Sequence, residues 1–152
     1  MPADSRAGDA VTLPHTWRPL GVRLAGGALG GGLLILVVGA WVAFPPEVQE
    51  TFTLFQRGTA IGLGLMAFAA WFALVRSRVV ATEEHLTVVN GYKRRDFEWA
   101  QVVAIHMPPG APWATLDLDD GDTCSVMGIQ SSDGDRSRLA LRQVRALLQQ
   151  RS

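Results

Sequence analysis

LAGGALGGGLLILVVGAWVAF, residues Leu24 to Phe44, runs 21 residues without a charge, and GTAIGLGLMAFAAWFALV, Gly58 to Val75, runs 18 more. A helix crosses the hydrocarbon core of a bilayer with about 20 apolar residues, in a range of about 17 to 25. Lipid offers no partner to backbone N–H and C=O groups, so a spanning segment must satisfy them internally as a helix. The two stretches therefore predict a transmembrane hairpin, with helices at about 24–44 and 58–75. Pro45 to Arg57 is too short a connection to hold a domain. A cleaved signal peptide would have a shorter apolar core and a small-residue cleavage site. The run here ends in Trp41-Val42-Ala43-Phe44-Pro45-Pro46 and is followed at once by a second span, which favours an uncleaved hairpin.

Outward from the hairpin the chain divides into a tail, 1–23, the membrane segment, 24–75, and a water-soluble domain, 76–152. The whole chain carries 14 basic and 14 acidic residues, but neither span contributes any. Basic residues near span ends set orientation. Arg6, Arg18 and Arg23 precede the first span, and Arg76, Arg78, Lys93, Arg94 and Arg95 follow the second, whereas the loop has only Arg57 beside Glu47 and Glu50. The expected location is a cell membrane, crossed twice, with both termini in the cytoplasm. Trp17, Trp41 and Trp71 fall near the span ends, where indoles favour the headgroup level. Pro45 and Pro46 end the first helix, because proline lacks the donor that would continue it.

Small residues recur every fourth position in both spans: Gly26/Gly30 and Gly27/Gly31 in the first, Gly58/Gly62 and Ala60/Gly64 in the second. Such faces let helix backbones approach closely. They suit homodimerisation or packing of the two spans within one chain, and the short loop favours the second.

The soluble part reads as strands followed by one helix. Arg78 to Thr82 and Leu86 to Val89 are β-branched, and Asn90-Gly91 is a strong hairpin signal because both positions tolerate positive φ. Tyr92 to Trp99 alternates, Gln101 to Met107 and Trp113 to Leu118 are further strands, and Thr123 to Ile129 is the last. The terminal helix is capped by Ser132 or Asp133. Its stripe Leu141, Val144 and Leu148, with Ala140 and Leu147, needs a sheet to cover, and Trp99 and Trp113 are expected to pack with it.

With its elements in this order the chain resembles actinobacterial membrane proteins that carry a PH domain, related to the low molecular weight protein antigen 6 family. The likeness rests on the hairpin, then RVVATEEHLTVVNGYKRRDFEWAQVVAI, PWATLDLDDGD, VMGIQS and the Arg- and Leu-rich terminal helix. It implies an α+β fold: a two-helix transmembrane hairpin followed by a PH-like antiparallel β-barrel or sandwich with a C-terminal capping helix. It implies no catalytic residues and no cofactor. Eukaryotic relatives of that fold bind phosphoinositides through basic residues in the first strand loop. Here the turn between the first two strands of the soluble part is Glu83-Glu84-His85, whose acidity speaks against that ligand.

Chemistry-bearing motifs are weak. Asp117, Asp119, Asp120 and Asp122 invite a calcium reading, but Gly121, Asp122 and Gly128 fall where an EF-hand loop needs a ligand, a glycine and a glutamate. A solvated Asp-Gly turn fits better. His85 and His106 have no partners at zinc spacing, and Cys124, the one cysteine, reads as a buried thiol. No metal site is expected. Lys93-Arg94-Arg95 has the better claim. Juxtamembrane basic residues are drawn to anionic lipid by about 1 kcal/mol each, although strand alternation would split the three across two faces. Nucleic acid is an unsuitable partner, because the ten basic residues from Arg76 onward are matched by ten acidic ones. The sequence thus predicts a non-enzymatic membrane protein presenting an interaction domain to a protein partner at the cytoplasmic face. The alternative is an accessory subunit of an envelope enzyme or transporter, joined through its glycine-rich spans.

Overall fold

The structure, a computed structural model, describes residues 11–151; Arg6, counted above for orientation, lies outside them. Its elements are β1 (His15–Trp17), α1 (Gly21–Ala43), α2 (Pro46–Thr51), α3 (Leu54–Arg76), β2 (Arg78–Ala81), β3 (His85–Asn90), β4 (Lys93–Glu98), β5 (Val102–His106), β6 (Trp113–Leu118), β7 (Thr123–Gln130) and α4 (Asp135–Arg151).

The helices α1 and α3 are each 23 residues long, apolar enough to cross a membrane, and entirely unburied within the protein. Each is longer than the charge-free run that predicts it. At α3 the extra turn comes from a capping box: Thr53 Oγ1 accepts from Gln56 N (3.2 Å) and Gln56 Oε1 from Thr53 N (3.0 Å). Arg57 is no obstacle, since its guanidinium donates to Gln49 O and Phe52 O and lies 5.1 Å over the Trp41 ring. Proline ends α1 as expected, and Pro46 then opens the short α2, where its missing N–H costs nothing.

The strands form two antiparallel sheets, β1-β2-β3-β4 and β5-β6-β7. A continuous barrel ladder does not form among them. One side is closed instead by side chains and close backbone approach. The Asn90 amide donates to Ser125 O and accepts from Met127 N (2.9 Å), tying β3 to β7. Gly128 on β7 lies so near β2 that a Cβ there would sit 2.7 Å from the Arg78 carbonyl carbon. Between the sheets Val79, Leu86, Val88, Ile105, Leu116 and Val126 are buried, and α4 closes the core with Leu141, Val144 and Leu148 against Trp99. Trp113 departs from expectation. It is half-buried and outside this cluster, because β6 begins there with a register shift against β7 that turns its first residue aside.

The sheet holds one strand the sequence reading lacked. His15–Trp17, expected only as part of a tail, pairs antiparallel with β2, matching His15 to Ala81 and Trp17 to Val79. The whole hairpin is therefore an insertion between two neighbouring strands of one sheet. This also corrects the role of Trp17. Its ring is buried in the domain core and its Nε1 donates to Gln143 Oε1 at 2.9 Å, so it is no headgroup anchor.

Candidate functional site

The region where the hairpin meets the domain concentrates the unusual contacts. Ser77, the residue after α3, is fully buried. Its hydroxyl donates to Ala73 O (3.0 Å) and accepts from Gly91 N (2.9 Å). Gly91 has φ +59, and a Cβ there would crowd Ala73 Cβ at 3.2 Å, which is why the Asn-Gly turn suits this place twice over. The next residue, Tyr92, is 64 % exposed and donates its hydroxyl to Ala69 O at 3.1 Å. Ala69 lies seven residues before the end of α3, about 10 Å along the helix at 1.5 Å per residue. The β3–β4 turn is thus docked along the flank of α3, not at its end.

On the other side Asp133 accepts from Leu20 N (3.0 Å) and Gly21 N (2.6 Å). Those are the orphan donors at the start of α1, and the carboxylate also suits the positive end of that helix. The sequence reading gave Asp133 or Ser132 to α4. The structure gives neither: α4 starts after Gly134, and the carboxylate turns to the distant helix, whose own N-terminal residue Leu20 has no oxygen to offer.

Charge is sorted along the domain. Arg18 precedes α1, Arg23 lies in its first turn, Arg76 ends α3, Arg78 begins β2, Lys93 follows the docked turn, and Arg136 lies in the first turn of α4. All therefore sit near the hairpin's base. At the far end of the β3–β4 pair, roughly 17 Å away at 3.3 Å per residue, Glu98 stands opposite His85. With Glu83, Glu84, Trp99 and Arg151 these line a cleft of about 670 Å³. Arg151 donates to the Glu83 carboxylate and backbone there and lies 5.9 Å over the Trp99 ring. The acidic turn Glu83-Glu84 thus joins the second and third strands of the sheet. The connection between the first two is the hairpin itself.

Lys93, Arg94 and Arg95 do not form one patch. Alternation sends Arg94 to the outer face, where it pairs with Asp96 at 3.0 Å. The hydrogen bonds from Arg94 and then from Thr87 hold the Asp96 carboxyl below its usual range, and the same pairing raises Arg94. Lys93 and Arg95 share the face of the buried Phe97. Burial pushes the Cys124 thiol up, against the opposing pull of Arg95.

Between the spans, Gly26 meets Trp71 so closely that a Cβ would overlap the indole, and Trp71 Nε1 donates to Val22 O at 3.3 Å. A Cβ at Gly27 would just touch the same ring. A Cβ at Gly30, Gly31, Gly58 or Gly62 would meet nothing within 4 Å beyond its own helix. In the β6–β7 turn Gly121 has φ +86 and Asp120 Oδ1 accepts from Asp122 N (2.9 Å), the geometry of an Asx turn. Among the described residues no group of three or more His, Cys, Asp or Glu is placed to hold a metal; His106 pairs with Asp117 at 3.1 Å.

The family described as Bacterial PH domain matches residues 76–147. Uncharacterised proteins of Mycobacterium bovis and of two strains of Mycobacterium tuberculosis are each 34 % identical to the chain over 146 residues, which is 92 % of this chain and 88 % of theirs. No solved structure matches.

Proposed function

This chain belongs to the family of those mycobacterial proteins and carries a bacterial PH domain, and on that premise we propose that it is an integral membrane protein whose PH domain is held against the bilayer to present its far end to a protein partner. The domain does no catalysis in this reading and needs no cofactor. The observation that carries it is the pairing of β1 with β2 across the hairpin. Two polypeptide connections, Arg18 to Leu20 and Ser77, join domain to spans, and the docked Tyr92 adds a third contact. A domain held so closely keeps one orientation. Its basic end then faces the headgroups, with Lys93 placed to meet anionic lipid, Arg94 partly satisfied by Asp96 and Arg95 turned toward Cys124. The acidic cleft of Glu83, Glu84 and Glu98 faces away from the membrane. The excess of arginine beside the spans over the single Arg57 of the loop favours a cytoplasmic domain.

A second reading has its own support. Gly30, Gly31, Gly58 and Gly62 lie open within the chain, as the interface of an accessory subunit or of a homo-oligomer would require. A photo-crosslinking residue placed in the full-length protein separates the two. Capture of one defined protein from position Glu98, and not from Leu33, supports the presented domain. Capture from Leu33 alone supports the span interface and overturns the first reading.

A further inference from the structure

Beside the base of the hairpin, a cleft of about 510 Å³ lies between the edge strand β1 and the first half of α4, lined by His15, Trp17, Arg18, Asp133, Arg136 and Gln143 among others. Neither sheet strand nor helix fills it. Resting on the reading of a membrane-seated domain, we propose that this cleft binds the phosphate of an anionic phospholipid headgroup, with Arg18 and Arg136 as its ligands.

Arg18 and Arg136 are both exposed, lie 118 positions apart in the chain, and are brought to one cleft by the fold. Neither guanidinium has a hydrogen-bond or ion-pair partner among the described residues. The one carboxylate in the cleft is Asp133, and both its oxygens are engaged by the backbone N–H groups of Leu20 and Gly21. What remains facing the space is two guanidiniums whose planar forks suit phosphate oxygens, and the imidazole of His15, whose ring lies 4.6 Å from that of Trp17. The location selects the source of the phosphate. The cleft's Asp133 holds Leu20 and Gly21 at the start of α1, one turn before the charge-free run from Leu24, so its mouth lies at the depth of headgroups and not of bulk solution. A lipid entering there keeps its chains beside α1. The Trp17–Gln143 hydrogen bond fixes the wall of the cleft and ties β1 to α4.

The test uses the full-length protein in nonionic detergent, with short-chain phosphatidylglycerol, short-chain phosphatidylcholine and inorganic phosphate as probes, and thermal unfolding as the readout. Phosphatidylglycerol is expected to raise the melting temperature saturably and phosphatidylcholine not to. In Arg18→Gln and in Arg136→Gln the apparent affinity should fall about tenfold each, the loss of one charge-assisted contact. Both substitutions are at exposed, unpaired positions, so the melting temperature without lipid serves as the check on folding. Glu84→Gln, exposed in the acidic cleft at the far end of the domain, should bind as the parent does. No stabilisation by phosphatidylglycerol overturns the proposal, as does an equal effect of inorganic phosphate, which would mean a site for a soluble anion. Loss in Lys93→Gln with Arg18→Gln unaffected would overturn the cleft while leaving the membrane-seated domain intact.

Discussion

Asp133 accepts the backbone N–H of Gly21 at 2.6 Å across 112 positions of sequence. A carboxylate from the loop before the last helix thereby caps the first apolar helix. Asp133→Ala frees the N–H groups of Leu20 and Gly21 and should cost about 0.5–2 kcal/mol, the usual effect of removing a cap. Asp133→Asn keeps an acceptor and should lose less, and Ser132→Ala should be near neutral. Denaturant unfolding in detergent orders the three. An effect of Ser132→Ala as large as that of Asp133→Ala would contradict the assignment.

Leu141 of α4 is buried in the core beside Trp99 and Val144. Leu141→Ala should cost about 2–5 kcal/mol, the range for truncating a buried leucine. An unchanged unfolding midpoint would mean that α4 does not pack as described.

At Gly128 the approach of β7 to β2 leaves no space for a methyl group. The obstacle is backbone, which cannot swing aside as a flexible side chain could. Gly128→Ala should destabilise by about 1–3 kcal/mol through overpacking. The same change at Gly110, with open space around it but φ +78, tests backbone strain without crowding, and its effect on amide exchange in β2 should be absent where that of Gly128→Ala is strong.

The Asp96 carboxyl is held below its ordinary value of 3.8 by Arg94 and Thr87. A group with a depressed folded-state pKa contributes stability above the unfolded value and loses it as pH falls through the folded one. The Asp96 contribution should therefore be complete at neutral pH and fade below 3.8. Asp96→Asn should be less stable than the parent at neutral pH and converge with it in acid. Parallel curves across that range would exclude the linkage.

For topology, a cysteine at Gln49 in a protein lacking Cys124 should label with a membrane-impermeant maleimide in intact cells, and one at Gln150 should not. The reverse pattern would place the domain outside. Native Cys124 itself should react slowly with alkylating agents, since burial raises its thiol and thiolate is the reactive form.

Much of this fold was legible locally. Asn90-Gly91 announced the β3–β4 hairpin, the two charge-free runs announced α1 and α3, and the stripe Leu141, Val144 and Leu148 announced a covering helix. What was not legible depends on partners far apart in the chain. His15–Trp17 is too short to show alternation, and its partner β2 lies beyond the entire hairpin. Capping rules look to the adjacent helix, so Asp133 was given to α4. Arg18 and Arg136 carry no shared motif and meet only through the fold. Lys93, Arg94 and Arg95 were visible as a run, but only the register with β3 assigns them their faces.

The place of the hairpin within the sheet also governs the order in which the protein can be made. The ribosome delivers β1 first, then both apolar helices, and only afterwards the strand that β1 needs. N-terminal segments normally fold as they emerge, but in the membrane-inserted protein proposed above the first strand must wait until both helices are in place. Should only one helix insert, β1 and β2 would be stranded on opposite sides of the bilayer, and the sheet would be left with an open edge and without Trp17. In that proposal, completion of the domain records that both helices have been inserted, and a misinserted chain is marked by its unfinished sheet.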